Sequence, residues 1–415
     1  MSKIKNIEAR EIVDSRGKPT VEVELETERG TYIDSCPSGA STGANEALEL
    51  RDAEGPDGGR ADGRGVLTAI KNVNEIIAPK LKGKDPSNQK EIDDLMIALD
   101  GTENKSKLGA NAILPVSMAV CRAGAAAKKL PLYKHIAELA ENKSALMCPL
   151  PSFNLLEGGV HTDDETDTVT QEFMLVPQKK TFVENLVLCN KIFENLRNIL
   201  EKNFGKDKLS VGFEGGFATP MHRTEQALFS LKGAIGKEDC KIALDIAASE
   251  FYKDGKYSLD GRELIRAELL EFYEDLVRRF PIISIEDPFA QEEWQGFEEI
   301  MQKLGSMIII VGDDLTTTNV KRIKEAQNKK ACNGVILKLN QIGTVSETIE
   351  AFNLSKSFGW KTVVSHRSGE TMDDFIADLA VGAGADFLKA GSPAKPERMV
   401  KYTRLLQIEQ ELKHV

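Results

Sequence analysis

The segment MIIIVGDD (residues 307–314) joins an uninterrupted apolar, β-branched run to a pair of aspartates. A strand that is apolar on both faces is typical of a sheet covered on both sides. Five further segments have the same form, with amphipathic helical patterns between them: KIALDIAASE (241–250), PIISIEDP (281–288), GVILKLNQ (334–341), KTVVSHRSGE (361–370) and ADFLKAGSP (385–393). The alternation predicts parallel strands with right-handed crossovers, and its spacing favours a closed β/α barrel over an open sheet.

A charged or titratable residue follows the apolar run of each segment. In chain order these residues are Asp245, Glu286, Asp313, Lys338, His366 and Lys389. The carboxyl ends of barrel strands meet on one face, where active sites of such barrels lie. Three carboxylates in one cavity repel one another unless a cation lies among them, and oxygen ligands favour Mg²⁺ over Zn²⁺. The pattern predicts a magnesium site; the alternative is that each charge marks where a buried strand reaches solvent.

The two lysines of this set, Lys338 and Lys389, suggest a reaction type. Positive charge nearby and partial desolvation lower the pKa of a lysine, so it can act as a base near neutral pH. A base beside a metal-bound carboxylate suits removal of a proton from the adjacent carbon, with the metal stabilising the enolate. This combination matches the known pattern of the enolase superfamily. The alternative role for both lysines is ion pairing with the acids.

The amino-terminal part has a different pattern. Residues 4–27 alternate apolar and polar around an Arg-Gly-Lys-Pro turn, which predicts a β-hairpin. Residues 110–130 are rich in alanine and predict a buried helix that Pro115 kinks or divides. At 415 residues the chain is too long for one ordinary core. We therefore expect a smaller α+β capping domain (residues 1–135) and a β/α-barrel catalytic domain (residues 145–415).

Composition excludes several classes of function. The chain has 65 acids, 54 bases and a net charge of -11, which argues against nucleic acid as a partner. No segment was expected to reach the apolar length of about 18 residues that a membrane span needs. The 6 cysteines stand singly, without a metal-binding or disulfide spacing. Reduced thiols in a cytoplasmic protein are the expectation.

The sequence also resembles the enolase family along nearly its whole length. The segments that carry the resemblance are DSRGKPTVEVEL, PSGASTG, LDGTENKSKLGANAIL, QEFM, EGGF, ALDIAASEFY, SIEDPF, GDDLTTTN, LKLNQIGT, SHRSGET and FIADL. It implies an enolase-type barrel that catalyses the reversible, Mg²⁺-dependent dehydration of 2-phospho-D-glycerate to phosphoenolpyruvate in glycolysis, with two Mg²⁺ per active site. It also implies a homodimer or larger homo-oligomer, formed through the region of Arg10, Asp14 and Arg16.

The resemblance implies metal ligands and an acid–base set. Asp245, Glu286 and Asp313 match the ligands of one Mg²⁺, and Ser41, on a glycine-rich mobile loop, matches a ligand of the second. Lys338 matches the base that removes the C2 proton. Glu214 matches the acid that helps to expel the C3 hydroxyl, with Glu172 assisting it.

Substrate contacts follow from the same resemblance. Ser365, His366, Arg367 and Ser368 match the phosphate-binding segment, in which the fork of Arg367 suits two parallel hydrogen bonds. Lys389 is expected to face the substrate carboxylate. The resemblance adds His161, which closes over the substrate, and it places Glu172, Glu286 and Asp313 against the substrate. His161 and His366 are also expected in the catalytic set.

Two departures from the family pattern lie in catalytic loops. The family usually has an Ala-Gly-Asn-Lys-like segment after the loop histidine, where this chain has the acidic run Thr162 to Asp167. It usually has Asp before the catalytic glutamate, where this chain has Phe213. Loss of that aspartate lowers the pKa of Glu214, whereas desolvation by phenylalanine raises it. We expect catalysis with an altered rate or Mg²⁺ dependence; the alternatives are a related Mg²⁺-dependent lyase with a shifted substrate and a non-catalytic binding protein with this fold.

Overall fold

The structure, a computed structural model, describes residues 2–52, 63–161 and 170–413. The acidic run Thr162 to Asp167, one of the two departures from the family pattern, lies outside these residues.

A three-stranded antiparallel sheet opens the chain. Its strands are β1 (Ile4–Val13), β2 (Pro19–Thr27) and β3 (Gly30–Ser35), in that order. The predicted hairpin is confirmed, with Val13 paired to Pro19 across the turn. Alternation in β2 buries Val21, Val23 and Leu25 against the helices that follow.

Helices follow this sheet along the amino-terminal half of the chain. They are α1 (Leu67–Lys71), α2 (Ala78–Leu81), α3 (Gln89–Asp100), α4 (Ala110–Lys128) and α5 (Leu132–Leu139), with a π-helical turn (Asn72–Ile77) between α1 and α2.

The helix α4 joins the two halves of the molecule. It continues through Pro115, so of the two predicted effects of this proline, a kink or a division, the division does not occur. Its residues contribute to two cores: Ile113 and Val116 pack with the amino-terminal sheet, whereas Leu114 and Met118 pack with the barrel. By length and composition α4 could cross a membrane, contrary to expectation, but 83% of its apolar window is buried inside the fold. Burial on all sides explains why this helix is apolar all round.

The carboxyl-terminal part closes into a barrel. Its eight strands are β4 (Leu150–Glu157), β5 (Glu172–Pro177), β8 (Cys240–Asp245), β12 (Ile282–Glu286), β13 (Ile309–Gly312), β14 (Gly334–Leu337), β15 (Lys361–Ser365) and β16 (Phe387–Lys389). They pair in the order β16-β15-β14-β13-β12-β8-β5-β4, and β16 pairs with β4 to close the ring. The six segments predicted as strands all lie in this barrel, and their mutual pairings are parallel. The strand β5 is antiparallel to both of its neighbours, which the sequence pattern did not predict.

Helices surround the barrel, and short strands lie beside it. The helices are α6 (Phe182–Phe204), α7 (Thr224–Ile235), α8 (Arg266–Arg279), α9 (Trp294–Leu304), α10 (Val320–Lys329), α11 (Leu339–Ile342), α12 (Val345–Ser357), α13 (Phe375–Ala383) and α14 (Pro396–Lys413). The strands β6 (Ser210–Val211) and β7 (Phe217–Ala218) extend the sheet beside β4, and β9 (Tyr252–Lys253), β10 (Lys256–Leu259) and β11 (Arg262–Leu264) form a small separate sheet.

Apolar side chains fill the interior of the barrel below the polar mouth. They are Met174, Val176, Ala243, Val311, Ile336, Val363 and Phe387. A filled interior makes this a packed core and leaves the carboxyl ends of the strands as the place for chemistry.

Candidate active site

Six polar residues stand where six barrel strands end. They are Asp245 at the end of β8, Glu286 at the end of β12, Asp313 after β13, Lys338 after β14, His366 after β15 and Lys389 at the end of β16. All six are buried. The barrel therefore brings these sequence-predicted residues to one face, where each lies within reach of at least one other charged group.

Lys389 is bound to three carboxylates. Its Nζ lies 2.8 Å from Asp245 Oδ2, 3.0 Å from each oxygen of Glu286 and 3.0 Å from Glu172 Oε1. Burial opposes the ammonium charge, but the neighbouring acids, Asp245 foremost, hold the pKa of Lys389 well above its usual value. Lys389 is therefore a fixed cation at the centre of the mouth.

Lys338 forms an ion pair with Asp313. Its Nζ donates to Asp313 Oδ2, while Gln341 Nε2 donates to Oδ1 of the same carboxylate at 2.8 Å. Burial would raise the pKa of Asp313, but Lys338 and Lys389 lower it to about 2. Burial likewise opposes the charge of Lys338, yet Asp313 raises the pKa of this lysine above its usual value. In this arrangement Lys338 is a protonated partner of an acid, which is the alternative that the sequence left open.

Asp313 also belongs to a compact acidic group with Asp287 and Asp314, whose carboxylate oxygens lie within 4.8 Å of one another. Asp287 accepts the backbone N–H groups of Asp313 at 3.0 Å and Asp314 at 2.7 Å. Burial, reinforced by Asp314 and Asp313, raises the pKa of Asp287 well above its usual value. The backbone that carries Asp313 is thus fixed where negative charge is concentrated.

The remaining acids of the mouth lack full compensation. Burial, reinforced by Asp245, raises the pKa of Glu286 well above normal, and burial with Glu214 does the same for Glu172. One buried oxygen, Glu172 Oε2, has no hydrogen-bond partner among residues 2–52, 63–161 and 170–413. A cation among these oxygens would relieve both the repulsion and the missing bond. A donor set made of carboxylates, without cysteine, suits a hard divalent cation such as Mg²⁺.

Glu214 lies in the turn between β6 and β7, next to a second acid. Asn154 Nδ2 donates to Glu214 Oε2 at 3.1 Å. His161 Nδ1 lies 3.6 Å from Glu214 Oε1 and 3.7 Å from Glu172 Oε1. Burial lowers the pKa of His161, so its imidazole is neutral among these acids. Two carboxyl groups and an imidazole are therefore assembled where a proton can be held and delivered.

His366 faces Glu214 through one nitrogen and is fixed through the other. Arg398 Nη1 donates to His366 Nδ1 at 2.6 Å, which leaves the proton of the neutral ring on Nε2. Nε2 lies 3.2 Å from Glu214 Oε2, but the contact is not aligned as a hydrogen bond. Burial lowers the pKa of His366 to about 4. The imidazole is therefore uncharged at neutral pH.

Arg367 is buried and already has partners. Its Nη1 donates to Glu46 Oε2 at 2.8 Å and to Asn340 Oδ1 at 2.9 Å, and its Nη2 donates to Glu46 Oε1 at 3.1 Å. Nη2 also donates to the carbonyl of Ser41 at 3.0 Å. A carboxylate of the amino-terminal loop thus occupies the guanidinium fork that the resemblance assigns to phosphate.

The three predicted serines lie around this arginine. Ser365 Oγ donates to the carbonyl of His366 at 3.0 Å, and Ser368 Oγ accepts the N–H of Ala40 at 2.9 Å. Ser41 contacts Arg367 through its carbonyl. The loop of Ser41 is closed onto the phosphate-binding segment, because Ser38 and Gly369 exchange backbone hydrogen bonds at 2.8 Å.

Sequence reasoning missed several polar residues at the site, and three of them show why. Glu157 ends β4 as Glu286 ends β12, so the strand-end rule would have found it if PSFNLLE had been read as a barrel strand. Arg398 lies in α14 and Glu46 in a loop. No local pattern marks these two, because Arg398 meets His366 from 32 residues away along the chain and Glu46 meets Arg367 from 321 residues away.

Comparisons with known proteins agree with this architecture. The family model described as the enolase C-terminal TIM barrel domain matches residues 145–415, and that of the enolase N-terminal domain matches residues 4–136. A protein named enolase from Mastigamoeba balamuthi is 49% identical over 429 residues, covering 99% of this chain and 96% of that protein.

Proposed function

This chain belongs to the enolase family, and on that premise we propose how the mouth of its barrel performs the reaction. Its activity is that of phosphopyruvate hydratase, a carbon–oxygen lyase that interconverts 2-phospho-D-glycerate and phosphoenolpyruvate in glycolysis. The assignment of individual residues, metal ions and assembly state that follows is our proposal. The sequence alternatives of a shifted substrate or a binding-only protein are not needed to explain the site.

The enzyme is metal-dependent, and we propose Mg²⁺ as the metal, with two ions per site. Asp245, Glu286 and Asp313 would hold one ion, and Ser41 would contribute to the other. The fit rests on the burial of these three carboxylates and on the unpartnered oxygen of Glu172. Asp313 also belongs to the compact acidic group with Asp287 and Asp314, whereas Asp245 and Glu286 lie outside that group. When bound, the metal stabilises the negative charge that develops on the substrate carboxylate.

Lys338 is the base that we propose for the C2 proton. A metal ion held by Asp313 would weaken that ion pair and so lower the pKa of Lys338 towards the range of a base. Lys389 keeps its charge throughout and faces the substrate carboxylate. Two lysines in one mouth thus have different tasks, set by the number of acids that each contacts.

Glu214 is the acid that we propose for the second step. The electron pair left at C2 forms the C2–C3 double bond, the C3–O bond breaks, and Glu214 supplies the proton with which the hydroxyl leaves as water. Burial and the charge of Glu214 raise the pKa of Glu172, so the proton of this acid pair is held on Glu172. Burial also acts to raise the pKa of Glu214, but His366 and His161 outweigh it and hold that pKa well below its usual value, so the proton that Glu214 delivers would come from Glu172. His161 and His366, both neutral, border Glu214 and exclude solvent from it.

Phosphate binding requires the Arg367 fork, with Ser365, His366 and Ser368 forming the loop around it. In the present arrangement Glu46 fills the fork, so the phosphate must displace a carboxylate of similar shape and charge. The fork can then donate two parallel hydrogen bonds to phosphate oxygens.

The observation that carries these assignments is the pair of buried lysines held among strand-end carboxylates. Glu172 and Glu214 lie beside them, and Glu172 is itself bound to Lys389. The test is the appearance of phosphoenolpyruvate from 2-phosphoglycerate with and without Mg²⁺. Lys338→Ala and Glu214→Gln should each lower kcat by about 10²- to 10⁴-fold, the usual contribution of an acid or base. A wild-type protein without Mg²⁺-dependent turnover, or a Lys338→Ala variant as active as wild type, would refute the assignment.

We also propose the assembly, domain division and location. A homodimer or larger homo-oligomer would form beside Asp14, where Val13 and Met372 are 66% and 62% exposed. Arg10 is exposed in this region, whereas Arg16 is buried against Asp14 at 3.0 Å. Sedimentation at several concentrations tests the assembly.

The proposed domains remain residues 1–135 and 145–415. The unpaired state of all the cysteines supports a location in the cytoplasm, which cell fractionation would test.

A further inference from the structure

The turn that carries Glu214 is held by its backbone. Gly212 N donates to the carbonyl of Gly216 at 2.9 Å, and Phe213 N donates to the carbonyl of His161 at 2.9 Å. On the other side, the carbonyl of Glu214 accepts the N–H of Ser392 at 2.8 Å. The position of the Glu214 carboxyl group therefore depends on bonds to the main chain of this turn.

Two further N–H groups of the turn are bound by a side chain from the barrel. Glu157, the last residue of β4, is 3% exposed. Its Oε2 accepts the N–H of Glu214 at 3.1 Å, and its Oε1 accepts the N–H of Gly216 at 2.5 Å. Both oxygens of one carboxylate thus connect a rigid strand to the backbone on either side of Gly215.

Glycine is required at two positions of the turn for this carboxylate to enter. A Cβ at Gly212 would lie 2.1 Å from Glu157 Oε2, and a Cβ at Gly216 would lie 3.0 Å from Oε1. The turn and the carboxylate are therefore matched in shape, as expected of a built contact rather than of an incidental one.

The carboxyl group of Glu157 is buried next to another acid, Glu214. Burial, and then Glu214, raises the pKa of Glu157 to about 8, while the two backbone bonds and Arg398 act in the opposite direction. Retaining a carboxyl group here against burial is costly unless its bonds are used. The burial of this carboxyl group indicates that it has a role. The two bonds to backbone N–H groups indicate what that role is.

We propose that Glu157 is a positioning residue that places Glu214 for the departure of the C3 hydroxyl, by clamping the backbone N–H groups of Glu214 and Gly216. The inference rests on the proposed role of Glu214 as the acid. Phe213, the residue before Glu214, has no carboxylate, and the acid that binds this turn comes from β4. Glu157 does not contact the substrate in this role.

The two steps of the reaction separate this role from general damage. Removal of the C2 proton needs Lys338, and in heavy water its reversal exchanges that hydrogen for deuterium without loss of the hydroxyl. Loss of the hydroxyl needs Glu214 in position. A variant that misplaces Glu214 alone should therefore slow dehydration while deuterium exchange at C2 continues.

The experiment compares wild type with Glu157→Gln and Glu157→Asp. The amide of glutamine presents a donor to one of the two N–H groups, and aspartate is one methylene too short to reach both. We expect kcat for dehydration to fall about 10- to 100-fold in each, as for a misplaced catalytic group, with KM within about twofold and C2 exchange within about threefold of wild type. Asp93→Asn is the matched control, because Asp93 is another buried carboxylate that accepts a backbone N–H, that of Ser346 at 3.0 Å, away from the mouth.

The outcomes distinguish failure of the positioning role of Glu157 from failure of the acid role of Glu214. If Glu214→Gln shows the split between dehydration and exchange and neither Glu157 variant does, the positioning role is wrong. If Glu214→Gln itself leaves dehydration unchanged, the proposed acid is wrong. A parallel fall of dehydration and exchange in the Glu157 variants would indicate structural damage and overturn the inference. Should Glu157→Gln fail to fold, the aspartate variant, which keeps a carboxyl group, tests the same role.

Discussion

At the scale of single residues, the pair of Glu46 and Arg367 sets the affinity for a phosphorylated substrate. A protein carboxylate that occupies the phosphate-binding fork must be displaced, and that cost lowers apparent affinity. Glu46→Gln removes the charge and keeps the shape. We expect KM for 2-phosphoglycerate to fall by about 3- to 10-fold, which corresponds to about 1 kcal/mol of a partly buried pair. Steady-state kinetics at fixed Mg²⁺ would measure it.

The matched control for that prediction is Glu49→Gln. Glu49 belongs to the same loop but pairs with Arg51 and accepts a hydrogen bond from Ser38, so it leaves Arg367 unaffected. Its KM should stay at the wild-type value. A rise of KM in Glu46→Gln would show instead that Glu46 orders Arg367 for the substrate.

A second residue-scale prediction concerns pH. His135 in α5 is fully buried, neither ring nitrogen has a hydrogen-bond partner among the described residues, and burial lowers its pKa to about 4. The unfolded chain takes up this proton at about pH 6.5, whereas the folded chain resists it until about pH 4. Stability should therefore fall as pH drops from about 6.5 to 4, by about 3 kcal/mol in total from this group.

The measurement is urea denaturation at several pH values, comparing wild type with His135→Phe. The variant should lose this part of the pH dependence, whereas a mutation of the exposed His222 should leave it in place. An identical pH dependence in His135→Phe and wild type would contradict the assignment.

Sequence patterns predicted the residues that end regular strands and missed those whose role depends on distant partners. Asp245, Glu286 and Lys389 each close a run that is apolar on both faces, so their place at the barrel mouth follows from strand pairing alone. Arg398 follows from no such rule, because its contacts with His366 and Ser368 arise only when α14 packs against the barrel. Glu157 was missed because its segment, β4, was not recognised as a barrel strand. The strand β4 pairs with the antiparallel β5, so this part of the chain lacks the repeat of parallel strands that marks the rest of the barrel.

At the scale of elements, α14 holds the phosphate-binding segment from behind. Arg398 donates to the carbonyls of Arg367 and Ser368, each at 2.6 Å. One turn later, the fully buried Lys401 donates to Glu370 Oε2 and to the carbonyl of Thr371, each at 2.7 Å. Two cations on one helical face thus fix a loop that carries few apolar side chains of its own.

This arrangement predicts a strong energetic coupling between Lys401 and Glu370. Lys401→Met leaves a buried carboxylate without its cation, which should lower the free energy of unfolding by about 3–5 kcal/mol. The double variant Lys401→Met, Glu370→Gln should lose much less than the sum of the two single variants, because no uncompensated charge remains. Urea denaturation of the four proteins gives the coupling energy. Additive losses would show that the two side chains act independently.

At the scale of the whole molecule, α4 explains why the amino-terminal part and the barrel fold against each other. Its residues enter the core of the sheet on one side and the core of the barrel on the other. The closed loop of Ser41 adds polar contacts between the same two parts, through Ser38 with Gly369 and through Glu46 with Arg367. The barrel could be predicted from the repeat of its strands, but this second interface could not, because composition alone does not show which two surfaces a helix covers.

The chain has a net charge of -11, and several of its acids are buried together at the mouth of the barrel. Acids that repel one another in a buried site destabilise the fold, and a divalent cation that binds only the folded form should offset that repulsion. We therefore expect Mg²⁺ to raise the thermal unfolding midpoint by a few degrees relative to excess chelator, since binding at a concentration 100-fold above Kd contributes about 2.7 kcal/mol. Calorimetry at constant ionic strength separates this effect from screening of surface charge. Asp245→Asn should reduce the Mg²⁺-dependent shift while leaving the response to NaCl unchanged, and a wild-type midpoint that is the same with Mg²⁺ as with chelator would show that the acids of the mouth do not form a metal site.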